Sequence, residues 1–158
     1  MPLTIEDIGK VIKRYTDLWN SDTRKAPLWV SGALPGSSIP IPGINFGTTS
    51  QPKAGLSIPV HANLIVLNQD MLPESLLTTF LHEYGHTIYR DTQPVFDEID
   101  SEVEAIRYSL ATLENEDLAD LAYREAAAVL SMATEDPYKT AVARLASDPL
   151  WIKYSRVR

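Results

Sequence analysis

The stretch that decides how this chain is read is residues 80–90, FLHEYGHTIYR. Two of the chain's three histidines, His82 and His86, stand four apart in it, and Glu83 directly follows the first. Leu76, Leu77, Phe80, Leu81 and Ile88 supply apolar faces around them, so the segment reads as a helix. On a helix, residues four apart share a face with their β-carbons about 5–6 Å apart, so both imidazoles can aim at one ion. Zinc accepts imidazole nitrogen at about 2.0–2.1 Å, which this spacing reaches without distorting the helix. Glu83 lies about 100° further round, where a carboxylate can take a proton from water at the ion's open side without being a ligand. The competing reading is an ordinary helix that happens to carry two imidazoles. Gly85 weighs against it: mid-helix glycine costs about 1 kcal/mol relative to alanine, and its bare surface would let another backbone approach the metal side.

Upstream, Asn63–Leu67 (NLIVL) is the best strand in the chain, a short apolar run rich in branched residues. The turn Asn68-Gln69-Asp70 follows it, and Pro73-Glu74 suits a first helical turn. The motif helix is therefore predicted over 73–90, with Pro94 marking the break. Thr4-Ile5-Glu6-Asp7 fits a capping box, and Ile5, Ile8, Ile12, Tyr15 and Trp19 then recur at helical steps, predicting an N-terminal helix over 4–20. Glycine and proline crowd residues 32–59, which excludes long helices there. Short strands are expected from Pro27, around Ile44–Thr48 and around Leu56–Val60, giving a sheet region over 27–68. Phe96, Ile99, Val103, Ile106, Leu110 and Leu113 step by three and four, and further helical segments run from about Asp117 and after Pro137, so helices are expected over 96–147. Helix, small sheet, then helices predicts an α+β fold in a single domain spanning 1–158.

Composition narrows the function classes. The net charge of −7 offers no basic footprint for nucleic acid, so no nucleic-acid partner is expected. No apolar run approaches the ~20 residues of a membrane span, so no membrane partner is expected either. MPLTIEDIGK lacks the apolar core of a signal peptide, and a cytoplasmic location is the expectation. The absence of cysteine excludes disulfides, thiolate ligands and cysteine nucleophiles, so any metal must be held by nitrogen and oxygen.

A catalytic zinc ion needs a third protein ligand and an open position. The extended pattern HExxHxxGxxH fails, because Tyr89 and Thr92 occupy the glycine and final histidine slots. The candidates are then the downstream carboxylates Asp97, Glu98, Asp100, Glu102 and Glu104. A wheel centred on the Phe96–Leu110 stripe sorts them. Glu102 borders the buried face and is the leading candidate, with Glu98 and Asp100 behind it and Glu104 last.

NLIVLNQD, LLTTFLHEYGHTIYR and SEVEAIRYSL together resemble a gluzincin-type HExxH metallopeptidase, closest to the ImmA/IrrE-type metallopeptidases, over roughly residues 60–112. In such families a segment E-x-E-A follows the motif and its first glutamate binds the metal, which maps onto Glu102. The resemblance implies a zincin-like fold, with a small, mostly antiparallel sheet packed on the HExxH helix and a helical C-terminal half. It also implies a zinc-dependent peptidase with one Zn2+ ion on His82, His86 and Glu102, Glu83 as general base, and a protein or peptide substrate lying along a sheet edge. The family's cleavage of a repressor carries over weakly, since no helix-turn-helix segment is attached.

Candidate oxyanion or substrate contacts are His61, just before the strand, and Tyr84, Tyr89 and Tyr108; for each, surface placement or packing is the competing reading. Arg107 is expected to pair with a carboxylate. The alternative function is a metal-binding but non-proteolytic interaction or regulatory module, against which Glu83 weighs, since a purely structural site has no use for that carboxylate. A third reading is a small assembly protein with no metal at all.

Overall fold

The computed structural model describes residues 4–25, 27–32, 43–49, 62–67, 73–92 and 97–156. Helix α1 (Ile5–Asn20) opens with the expected capping box. The Asp7 amide donates to Thr4 Oγ1 at 3.1 Å and the Thr4 amide to Asp7 Oδ2 at 3.0 Å, satisfying two amides that a helix start leaves orphaned. Ile8 and Trp19 are buried on its inner stripe. Strands β1 (Leu28–Gly32), β2 (Gly43–Thr49) and β3 (Ala62–Leu67) form one sheet in the order β1-β3-β2. Helix α2 (Pro73–Thr92) carries the HExxH motif. Then follow α3 (Glu98–Asn115), α4 (Ala119–Ser131), α5 (Tyr138–Arg144), a 3-10 turn over Leu145–Ser147 and α6 (Pro149–Ser155). By contacts the chain divides into two compact units, Met1–Glu83 and Tyr84–Arg158, the boundary falling inside the continuous helix α2.

In the first unit, β3 is the central strand, as its unbroken apolar run requires, and Ile65 and Leu67 of one face are buried. Asn20 ties α1 to the edge strand β1: its Nδ2 donates to the Leu28 carbonyl at 3.0 Å, and the Leu28 amide donates to its Oδ1 at 2.8 Å. One side-chain amide thus satisfies both backbone groups of an edge residue, which shields that edge from further strand pairing.

The predicted α+β fold with a mostly antiparallel sheet does not hold. The described residues are mainly helical, and the sheet is confined to three short strands of mixed sense. β1 pairs with β3 in parallel, Leu28 opposite Asn63 through Gly32 opposite Leu67. β2 and β3 pair antiparallel, Gly43 opposite Leu67, with a register shift between Phe46 and Thr49. The physical reason is topological. The resemblance implied mostly antiparallel pairing, but β3 inserts between β1 and β2, and strands joined by so long a connection can pair parallel. The strand expected around Leu56–Val60 lies outside the described residues.

Among its described residues, the second unit holds helices and turns and no strand. Ile106, Leu110 and Leu113 of α3 are fully buried, as are Ala122, Ala126 and Val129 of α4, and α3 packs against α4, α5 and α6. Helix α3 stops at Asp117, whose φ of 62° turns the chain. The Leu118 amide then donates to the Leu113 carbonyl at 2.8 Å and the Asp117 amide to the Glu114 carbonyl at 3.1 Å, a Schellman closure built on an aspartate in place of glycine. Across the unit, Lys153 Nζ and Tyr154 Oη both donate to Glu114 Oε2, at 2.7 and 2.5 Å, fastening α6 to the end of α3. Among the described residues, no helix is long and apolar enough to cross a membrane.

Candidate metal centre

Helix α2 places His82 and His86 about 40° apart on its wheel, with Glu83 about 80° from their mean direction and Gly85 about 80° on the other side. Gly85 is where α3 comes close. A β-carbon built there would stand 2.8 Å from Ala105 Cα, 3.3 Å from the Ala105 carbonyl oxygen and 3.3 Å from Tyr108 Cβ. No side chain larger than hydrogen fits that approach without movement of backbone. The glycine that looked costly in the sequence is the one that lets the second helix in.

The two helices run antiparallel. Gly85 meets Ala105, His86 meets Ser101 and Glu102, and the Asp97 amide donates to Tyr89 Oη at 3.3 Å, so rising numbers on one helix face falling numbers on the other. Asp97 also caps α3, accepting from the Asp100 amide at 2.9 Å, which fixes where the helix begins and so where position 102 points. From that register, Glu102 lands beside His86, with Oε1 at 2.7 Å from His86 Nε2. A carboxylate only accepts, so a hydrogen bond here has the ring nitrogen as donor. The other ring nitrogen, Nδ1, lies 2.6 Å from Ser101 Oγ.

Ligand atoms of His82, His86 and Glu102 all lie within 4.8 Å of one another. His82 is 6% exposed and Glu102 5%, so two of the three donors are withdrawn from bulk water. Two donors each about 2.0–2.1 Å from one zinc ion stand no more than about 4.2 Å apart, so small side-chain rotations close this group on an ion. Two imidazoles and one carboxylate make a donor set that suits zinc and leaves a coordination position open. The residues present therefore fit the ion that the spacing implied.

Three of the four rival carboxylates are engaged elsewhere. Asp97 caps α3, Asp100 accepts from Arg144, Glu104 accepts from Arg107 at 3.2 Å, and Glu98 is exposed. Glu83 is half-buried beside the imidazole pair. Tyr84 lies about 180° from the mean imidazole direction and packs on Tyr108, their ring centroids 5.6 Å apart. Burial pushes the Tyr108 phenol above its ordinary range, with a hydrogen bond to Thr112 opposing and Glu116 adding to the rise. Tyr89 is buried and supports the start of α3 as described. Arg107 pairs with Asp148 at 2.9 Å as well as with Glu104, the carboxylate pairing expected of it. His61 lies outside the described residues.

Sequence reasoning missed Ser101. It is 1% exposed and touches a donor, yet the apolar wheel placed it far from the buried side. The signal was present in the small residues Ser101, Ala105, Ser109 and Thr112, which share one side of α3 and are all buried. That side contains Ala105, the residue that meets Gly85. Comparison with protein-family models, with curated proteins and with solved structures finds no match to this chain.

Proposed function

We propose that the chain is a zinc-dependent peptidase of the gluzincin type, resembling the ImmA/IrrE-type metallopeptidases, with His82, His86 and Glu102 as ligands and Glu83 as general base. The observation that carries this reading is the convergence of three donors of the right chemistry from two helices, with Glu102 hydrogen-bonded to His86 at 2.7 Å. When bound, the dication would polarise a substrate carbonyl and lower the pKa of a water molecule beside it. The chain's own residues do the rest. Glu83, half-buried on the flank of the imidazole pair, accepts the proton of the attacking water and returns it to the leaving amine. The close approach at Gly85 holds α3 at the distance that keeps Glu102 in reach. Burial of His82 and Glu102 lowers the local dielectric and strengthens every charge interaction at the site. The substrate class is protein or peptide.

The test is hydrolysis of a casein-type substrate by the zinc-loaded protein and by Glu83→Gln. Activity is expected to fall by about 10²–10⁴-fold in the variant while zinc content is retained. Unchanged hydrolysis would remove Glu83 from the general-base role.

One observation favours a second reading, a non-proteolytic module in which the metal braces α2 against α3. The donors His82 and Glu102 are buried and come from both helices, as they would in a structural clamp. That reading predicts tightly held zinc, a large drop in melting temperature on chelation and no turnover of any protein substrate.

A further inference from the structure

We infer that Ser101 is the positioning residue for His86, holding the ring for metal binding through the hydrogen bond between its hydroxyl and Nδ1. The inference rests on the metal reading proposed above and adds a role for a side chain that is not itself a ligand.

The geometry is specific. Ser101 Oγ lies 2.6 Å from His86 Nδ1, and Glu102 Oε1 lies 2.7 Å from Nε2. Consecutive residues of α3 thus grip opposite ends of one imidazole and fix the plane of its ring. Ser101 is 1% exposed, so its hydroxyl is withdrawn from bulk water.

A hydroxyl suits this place. When Nε2 of a histidine is given to a metal, the ring proton sits on Nδ1, and the Ser101 hydroxyl oxygen stands where it can accept it. That hydrogen bond fixes the ring orientation in which Nε2 faces the Glu102 carboxyl.

The test combines zinc affinity with the tautomer of His86. Affinity is measured by competition with a chromophoric chelator for the wild type, Ser101→Ala and Ser101→Thr. The tautomer is read from the ring ¹⁵N shifts of His86, with and without zinc. Loss of such a supporting hydrogen bond typically weakens metal binding by about 10–100-fold, and that is the expectation for Ser101→Ala. Ser101→Thr, which keeps the hydroxyl, should restore most of the affinity. In the zinc-loaded wild type the ring proton should be on Nδ1. Ser101→Ala should shift that Nδ1 resonance even where its melting temperature is unchanged, a response that mere packing would not give. Equal zinc affinity in wild type and Ser101→Ala, or an Nδ1 resonance unchanged by the substitution, would overturn the inference while leaving the metal site intact. Failure of the wild type to bind zinc would overturn the metal reading itself, and this inference with it.

Discussion

Helix α3 has two buried sides built on opposite rules. On one, Ile106, Leu110 and Leu113 bury large apolar side chains in the core that α3 shares with α4, α5 and α6. On the other, Ser101, Ala105, Ser109 and Thr112 are buried with little bulk, and Ala105 meets Gly85 of α2 at backbone distance. The apolar side removes hydrocarbon from water, which is the dominant source of stability. The small-residue side contributes less of that but brings two backbones close enough for Glu102 to reach His86. One side of the helix makes the fold stable; the other sets the geometry of the site.

If that division is correct, damage to each side should read out differently. Leu113→Ala should have the largest effect on stability, about 2–5 kcal/mol by chemical denaturation, because it removes a fully buried side chain. Its zinc affinity should stay within a few-fold of the wild type; a large loss of affinity would break the comparison. Gly85→Ala should do the reverse. Overpacking against Ala105 costs typically ~1–3 kcal/mol, against about 1 kcal/mol gained from alanine's helix propensity. The net stability change is therefore modest, but zinc affinity should fall by about tenfold or more, since ligand constellations tolerate displacements of only about 0.5 Å.

The pH dependence sharpens the picture on the small-residue side. Tyr108 lies at the edge of the seam with its phenol raised by burial, so the unfolded chain loses this proton first, near pH 10. Its contribution is therefore fully present below pH 10 and lost as the pH climbs through the higher folded value. Denaturation midpoints should be insensitive to Tyr108 through neutral pH and fall in alkali, and Tyr108→Phe should flatten that alkaline fall. The smallest effect is expected at Asp117→Gly. Relief of the left-handed backbone is offset by the greater freedom of glycine in the unfolded chain, for a net gain below about 1 kcal/mol in thermal melts.

The same contrast explains how far the sequence could be read. Helix α1 with its capping box, the central strand Ala62–Leu67 and the motif helix were legible because each rests on local signals: a cap, a branched apolar run, a heptad-like stripe. Glu102 was legible because a buried carboxylate near an apolar stripe stands out. The wheel put it at the border of the buried side, however, whereas burial on both flanks, from Ser101 to Ile106, places it well inside. The wheel was centred on the large apolar residues alone, so the small residues of α3 had no weight in it. Small residues carry weak hydropathy whether they face water or a neighbouring helix, so only the partner glycine distinguishes the two. Sheet sense was illegible for a different reason. Which strand inserts between which is decided by contacts across a long connection, and turn residues report only on their neighbours.

Zinc stoichiometry decides whether His82, His86 and Glu102 hold one metal ion. It is measured by elemental mass spectrometry after equilibration with zinc and gel filtration, for the wild type beside Glu102→Gln. Close to one zinc ion per wild-type chain and little or none in the variant are expected, with the helical circular dichroism of the two alike. A wild type that retains no zinc, or a variant that retains as much as the wild type, would contradict that assignment.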